Sequence, residues 1–162
     1  HKYIDPTHDP KCPSCHNENS PTEEESVEHI FRCPNIRRRE EHNKRLNQFT
    51  SRMVTLGTHK LIRTAIIRNI ISWRNNEPPE TIQITGSETL LHRYIAFALN
   101  EQAAIGWLGF QKGLLSNYWK KAQQLSYQSS SQSNPEFNAK THNGEVWIKR
   151  VISEIDDIAH AT

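Results

Sequence analysis

In IRRREEHNKRLNQFTSRMVTL, residues 36–56, the apolar side chains Leu46, Phe49, Met53 and Leu56 recur at steps of three and four. That spacing gathers them on one face of a helix and leaves the charged residues on the other. Gly57 supplies a stop, and Thr58 stands where it can cap the next element. In that element, HKLIRTAIIRNIISWR, a core-facing stripe of Leu61, Ile62, Ala65, Ile66, Ile70 and Trp73 follows the same period. Its β-branched content keeps a pair of strands open as the competing reading, but the segment is long for a strand, which favours helix.

NNEPPETIQITG reads as a loop from its paired prolines and closing glycine, with room for a short extended piece at Thr81 to Thr85. Ser87 and Glu88 then open a predicted helix to about Ala104 that turns Leu90, Leu91, Tyr94, Ile95, Ala98 and Leu99 inward. GWLGFQKG is a glycine-punctuated turn carrying Trp107 and Phe110, and Leu114 to Tyr127 is the next predicted helix. SYQSSSQSNPEFNAKTHN is too poor in apolar residues to order itself and reads as a solvated linker. Asn143 or Thr141 starts a last helix, GEVWIKRVISEIDDIA. Helix follows helix without alternating strands, so the expected fold is all-α: a small helical bundle with an N-terminal zinc knuckle. The predicted organisation is 1–35 knuckle, 36–127 helical bundle, 128–142 polar linker, and 143–162 a C-terminal helix packing on the bundle.

At 162 residues and 35% apolar composition the chain can bury one modest core. It opens on His1 without a leader pattern, which reads as a piece of a longer polypeptide. No apolar run approaches the roughly 20 residues of a membrane span, so no membrane role is expected. The net charge of +2 conceals a strong asymmetry. Residues 1–31 hold two basic and seven acidic side chains, a balance of −5; residues 32–74 hold eleven and two, or +9; the rest hold seven and nine, or −2. The middle of the chain is therefore basic enough to seek an acidic partner.

The three cysteines, Cys12, Cys15 and Cys33, are an odd number confined to the N-terminal part, and a Cys-x-x-Cys pair in such a chain suits a reducing, intracellular compartment, nucleus or cytoplasm. With His29 they form Cys12-x2-Cys15-x13-His29-x3-Cys33. A Cys-x-x-Cys turn offers two thiolates to one ion, and a His and Cys four residues apart share a helix face, so the four can close a tetrahedron. Thiolates with one imidazole favour Zn²⁺, and a closed four-ligand site is structural rather than catalytic. A redox Cys-x-x-Cys with an unrelated third cysteine is the rival, and His16 or His8 could stand in for His29. HNENSPTEEES has too little apolar surface to fold alone, so metal binding would provide much of its folding free energy.

KCPSC, the acidic stretch after it, and VEHIFRCP resemble the zinc-binding region C-terminal to the reverse transcriptase in non-LTR retrotransposon polyproteins. EQAAIGWLGFQKGLLSNYWKKAQQLSYQ is similar to a downstream helical segment of the same kind of open reading frame, and the two stretches together cover about a third of the chain. The resemblance implies an accessory region that helps a polymerase grip RNA or DNA, with Cys12, Cys15, His29 and Cys33 in the zinc positions and an upstream polymerase domain of the same polypeptide as a partner. No Tyr-x-Asp-Asp-like motif occurs, and the end of the chain lacks the family's usual Trp and Arg-Asn finish, which leaves a divergent or domesticated lineage open.

Arg37, Arg38, Arg39, Lys44 and Arg45 follow the cysteine segment, Arg52, Lys60, Arg63, Arg68 and Arg74 continue the bias, and the set from Arg37 to Arg63 carries the site prediction. Lys and Arg on phosphates release counterions and supply most sequence-independent affinity, so these residues are the expected contacts to the backbone of RNA or DNA. A merely solvated helix surface is the alternative. No phosphate-binding loop, zinc-protease or nucleophile-elbow motif is present, and Glu145 with Lys149 reads as an intrahelical ion pair. The chain is therefore expected to be non-enzymatic. Its rival function is that of a zinc-stapled helical interaction module docking on a polymerase or other subunit.

Overall fold

The computed structural model describes residues 27–133 and 138–160. Among them every regular element is a helix: α1 Val27–Arg32, α2 Ile36–Thr55, α3 Lys60–Arg74, α4 Leu90–Ile105, α5 Trp107–Gln111, α6 Asn117–Ser133 and α7 Gly144–His160. The all-α expectation is met, and the strand alternative for residues 59–74 is excluded. No helix among the described residues is long and apolar enough to cross a membrane. The chain divides into two compact units, and the division falls inside α2 between Asn47 and Gln48.

In the first unit, Pro34 separates α1 from α2, and Asn35 starts α2 by accepting the backbone N–H groups of Arg37 and Arg38 at 3.0 and 3.4 Å. An Asn at this position satisfies donors that the first helical turn would leave open. His29, Cys33, Arg45 and Leu46 are buried.

The second unit is organised around buried tryptophans. Trp107, Trp119 and Trp147 are each at most 1% exposed, and each such ring removes roughly 150–250 Å² from water, which compensates for a small apolar fraction. Trp107 lies 5.0 Å from Phe110 and 6.1 Å from Trp119, ring centre to ring centre. Ile62, Ala65, Ile66 and Ile70 of α3 fill the same core with Ile95, Ala98 and Leu99 of α4 and Val151 of α7. Helix α6 packs against α4 and α7, and α3 reaches α4, α5 and α6.

Polar side chains hold the breaks between these helices. Gln102, fully buried on α4, uses all four of its hydrogen-bonding positions. Its Nε2 donates to the carbonyls of Gly106 and Leu114 at 3.2 and 2.9 Å, and its Oε1 accepts from Ser116 N and Trp119 Nε1 at 2.9 and 3.1 Å. The α2–α3 turn is held in the same manner. Gln123 accepts from His59 N and donates to Gly57 O, Tyr127 donates to Leu56 O, and Trp147 donates to Thr58 Oγ1. Asn69 accepts the backbone N–H of Glu80 and donates to its carboxylate, which folds the 75–80 loop back on α3.

Several local expectations are corrected. Thr58 does not cap α3; it is buried as Trp147's acceptor, and the His59 ring accepts from Leu61 N instead. Helix α4 is capped by Thr89, because the Glu88 carboxylate is taken by Thr85 and Gly86, whose N–H groups hold its pKa down to about 2. Residues 107–111 of the glycine-rich turn form α5, and α6 begins at Asn117 rather than Leu114. Helix α6 also runs into the expected linker as far as Ser133, since extending an existing helix costs far less than nucleating one. Leu61 and Leu90, assigned inward, are 41% and 44% exposed. Asn143, one of the two expected starts for α7, caps it by accepting from Val146 N at 3.0 Å.

Candidate metal and nucleic-acid site

Cys12 and Cys15 lie outside the described residues, so the structure places half of the expected zinc set. His29 sits on α1 and Cys33 follows its last residue, four positions later. One turn of helix separates them, and they are 7% and 1% exposed. Burial of an imidazole and a thiol so close together in a polar segment is what two donors of a closed metal centre require. Glu28, the acidic side chain of α1, pairs with Arg32 at the opposite end of the helix. No group of three or more His, Cys, Asp or Glu side chains gathers about a common point among the described residues.

The basic residues of the first unit divide by helix position. Arg37, Arg39 and Lys44 are exposed, Arg38 is partly exposed and Arg45 is buried. At about 100° per residue, Arg37 and Lys44 fall within about 20° of each other, Arg39 projects about 160° away, and Arg38 flanks Arg45. Arg45 donates to Glu41 at 2.9 Å, an i,i+4 pair on the buried flank of α2. These five cations of the first unit therefore do not form one continuous face.

In the second unit, Arg52 lies 3.8 Å from Glu154, with its side chain 66% exposed, and Arg63 donates to the Thr58 carbonyl at 3.2 Å. Lys60 is exposed at the start of α3. Arg68, absent from the predicted set, is held by Glu80. Arg74 is buried enough that desolvation lowers its pKa to about 10, and it reaches Gln111 at 3.4 Å.

A cleft of about 400 Å³ between the end of α3 and the glycine-rich turn was not anticipated. Trp73, expected in the core, forms part of its wall and is partly exposed. Gly106, Gly109 and Pro79 line it and were visible in the sequence, but periodicity assigns the neighbouring aromatic residues to a core and does not distinguish a wall.

Compared with known protein families, curated proteins and solved structures, the chain shows no match to any of them.

Proposed function

We propose that this chain is a zinc-stabilised, nucleic-acid-binding accessory region of a retroelement-type, reverse-transcriptase-related protein that grips phosphate backbone without catalysis of its own. The observation that carries it is the burial of His29 and Cys33 one helical turn apart, immediately ahead of the helix that exposes Arg37, Arg39 and Lys44. Cys12 and Cys15 complete the zinc set, and the ion would fix where α1 ends and the cationic helix begins. Arg45 and Arg63 are already engaged within the chain, so Arg37, Arg39 and Lys44 of the first unit and Lys60 of the second act as the principal phosphate contacts, with Arg38 and the loosely paired Arg52 as further contacts in their respective units. The retroelement assignment comes from the likeness of the KCPSC and VEHIFRCP stretches.

The test is binding to generic RNA and duplex DNA over a range of salt. Affinity should fall steeply with salt, and Arg37→Gln, Arg39→Gln and Lys44→Gln together should flatten the duplex slope by about 2 to 3, close to 0.9 per lost contact. Absence of binding at low salt, or binding indifferent to salt, would overturn the reading.

A second reading, a module docking on a polymerase or another subunit, draws on the exposure of Val54 at 54% and Leu114 at 60%. Size-exclusion chromatography with and without nucleic acid separates the two, because a docking module would co-elute with protein and ignore RNA.

A further inference from the structure

The cleft of the second unit joins three features that nothing above uses. Trp73, Pro79, Ile105 and Leu114 provide apolar walls, and the latter two are 40% and 60% exposed. Gly106 and Gly113, at φ +99° and +91°, bend the backbone around this side, and Gly109 lets Ile105 close in: a Cβ there would lie 3.1 Å from Ile105 Cγ2. Glu77 and Lys112 line the same cleft, yet among the described residues neither side chain forms an ion pair with the other or with any further group. Opposite charges left apart beside an indole wall call for a ligand that offers a flat apolar face, a hydrogen-bond donor and an anion at separate points.

We propose that this cleft receives one unstacked base of a single-stranded nucleic acid, with Trp73 against the face of the base, Glu77 accepting from its amino edge and Lys112 meeting the adjoining phosphate. A nucleotide carries these three features in one molecule, joined by a sugar, and a cleft of about 400 Å³ lies within the 300–1,000 Å³ usual for ligand sites. A duplex keeps its base faces stacked, so the cleft requires single strands. A carboxylate accepts from the cytosine amino group, whereas uracil presents a carbonyl at that position, so the cleft should prefer cytosine to uracil. The assignment rests on the nucleic-acid reading but uses none of the α2 cations.

The experiment measures a labelled oligocytidylate and an oligouridylate against the full chain, in parallel with duplex DNA. Trp73→Leu should weaken oligocytidylate binding by about tenfold or more, the scale of one lost base stack, and Trp73→Phe should largely retain it. Lys112→Gln should lower the single-strand salt slope by about 0.7, and Glu77→Gln should narrow the preference for cytosine. The idea is overturned if Trp73→Leu folds with an unchanged melting temperature and binds as the parent does. Should that variant unfold, unchanged salt slope and base preference in Lys112→Gln and Glu77→Gln overturn it equally. Loss of duplex binding in the Arg37, Arg39 and Lys44 variant, with no effect from any cleft variant, sinks this inference and spares the proposed function; the converse pattern does the reverse.

Discussion

The indole Nε1 of Trp147 donates to Thr58 Oγ1 at 2.7 Å across 89 residues of sequence, and both side chains are buried. This bond fastens α7 to the turn between α2 and α3. Trp147→Phe removes the donor and part of the ring, and Thr58→Val removes the acceptor. Each should cost about 1–3 kcal/mol in urea unfolding, because a buried polar group is left without its partner. The double variant should show a coupling of at least about 0.5 kcal/mol; strict additivity would mean that the bond contributes nothing.

Gln102 is the largest single polar commitment of the second unit. Gln102→Leu conserves approximate volume but strands the Leu114 carbonyl and two N–H groups, while Gly106 O keeps Phe110 N, so a loss of about 3 kcal/mol or more is expected. Gln102→Glu keeps the acceptor for Ser116 and Trp119 but sets a buried carboxyl against the carbonyls of Gly106 and Leu114, so its loss should grow as rising pH favours the ionised form. Equal stability of Gln102→Leu and the parent chain would show that the amide is a bystander.

His59 couples the start of α3 to pH. Desolvation, followed by the nearby His92 and Arg63 charges, pushes its pKa below 6.5, and its ring accepts from Leu61 N only when Nδ1 is unprotonated. A depressed folded pKa means that its contribution is present above pH 6.5 and is lost as pH falls through the folded value. Melting temperature should therefore decline between pH 7 and pH 5, with a shallower decline in His59→Asn, which keeps an acceptor and does not titrate. An identical decline in that variant would assign the effect to other groups.

Removal of zinc should act on the first unit and leave the second folded. A single metal ion per chain is expected by elemental analysis, falling to near zero in Cys33→Ala or His29→Ala. Chelation should reduce the helical signal by an amount attributable to α1, while the Trp107 and Trp119 fluorescence environment stays as it was. Full zinc content in Cys33→Ala would remove this cysteine from the ligand set.

The parts of this fold that were legible in the sequence are those in which one periodicity dominates. The stripes Phe49–Met53 and Ile62–Ile66–Ile70 were recoverable because each repeats at helical spacing and ends buried. Gln102, Gln123 and Asn69 were not, since a polar residue in the core announces itself only through the backbone groups it meets, and those come from distant segments. Helix α5 was hidden by its flanking glycines, and the end of α6 by a Ser- and Gln-rich composition that suggests disorder when taken alone. Of the candidate site residues, spacing set His29 and Cys33 four positions apart, and both are buried. The separation of Arg37 and Lys44 from the engaged Arg45 required the helix partners to be known.

The turn between α2 and α3 is gripped by Gln123, Tyr127 and Trp147, residues 64 to 89 positions downstream of the backbone and side-chain groups they hold. Its two carbonyls are satisfied once α6 is present, and the Thr58 hydroxyl only once α7 is. The corner is thus completed only when α7 is in place, and a chain truncated before Trp147 would leave the Thr58 hydroxyl without its indole partner.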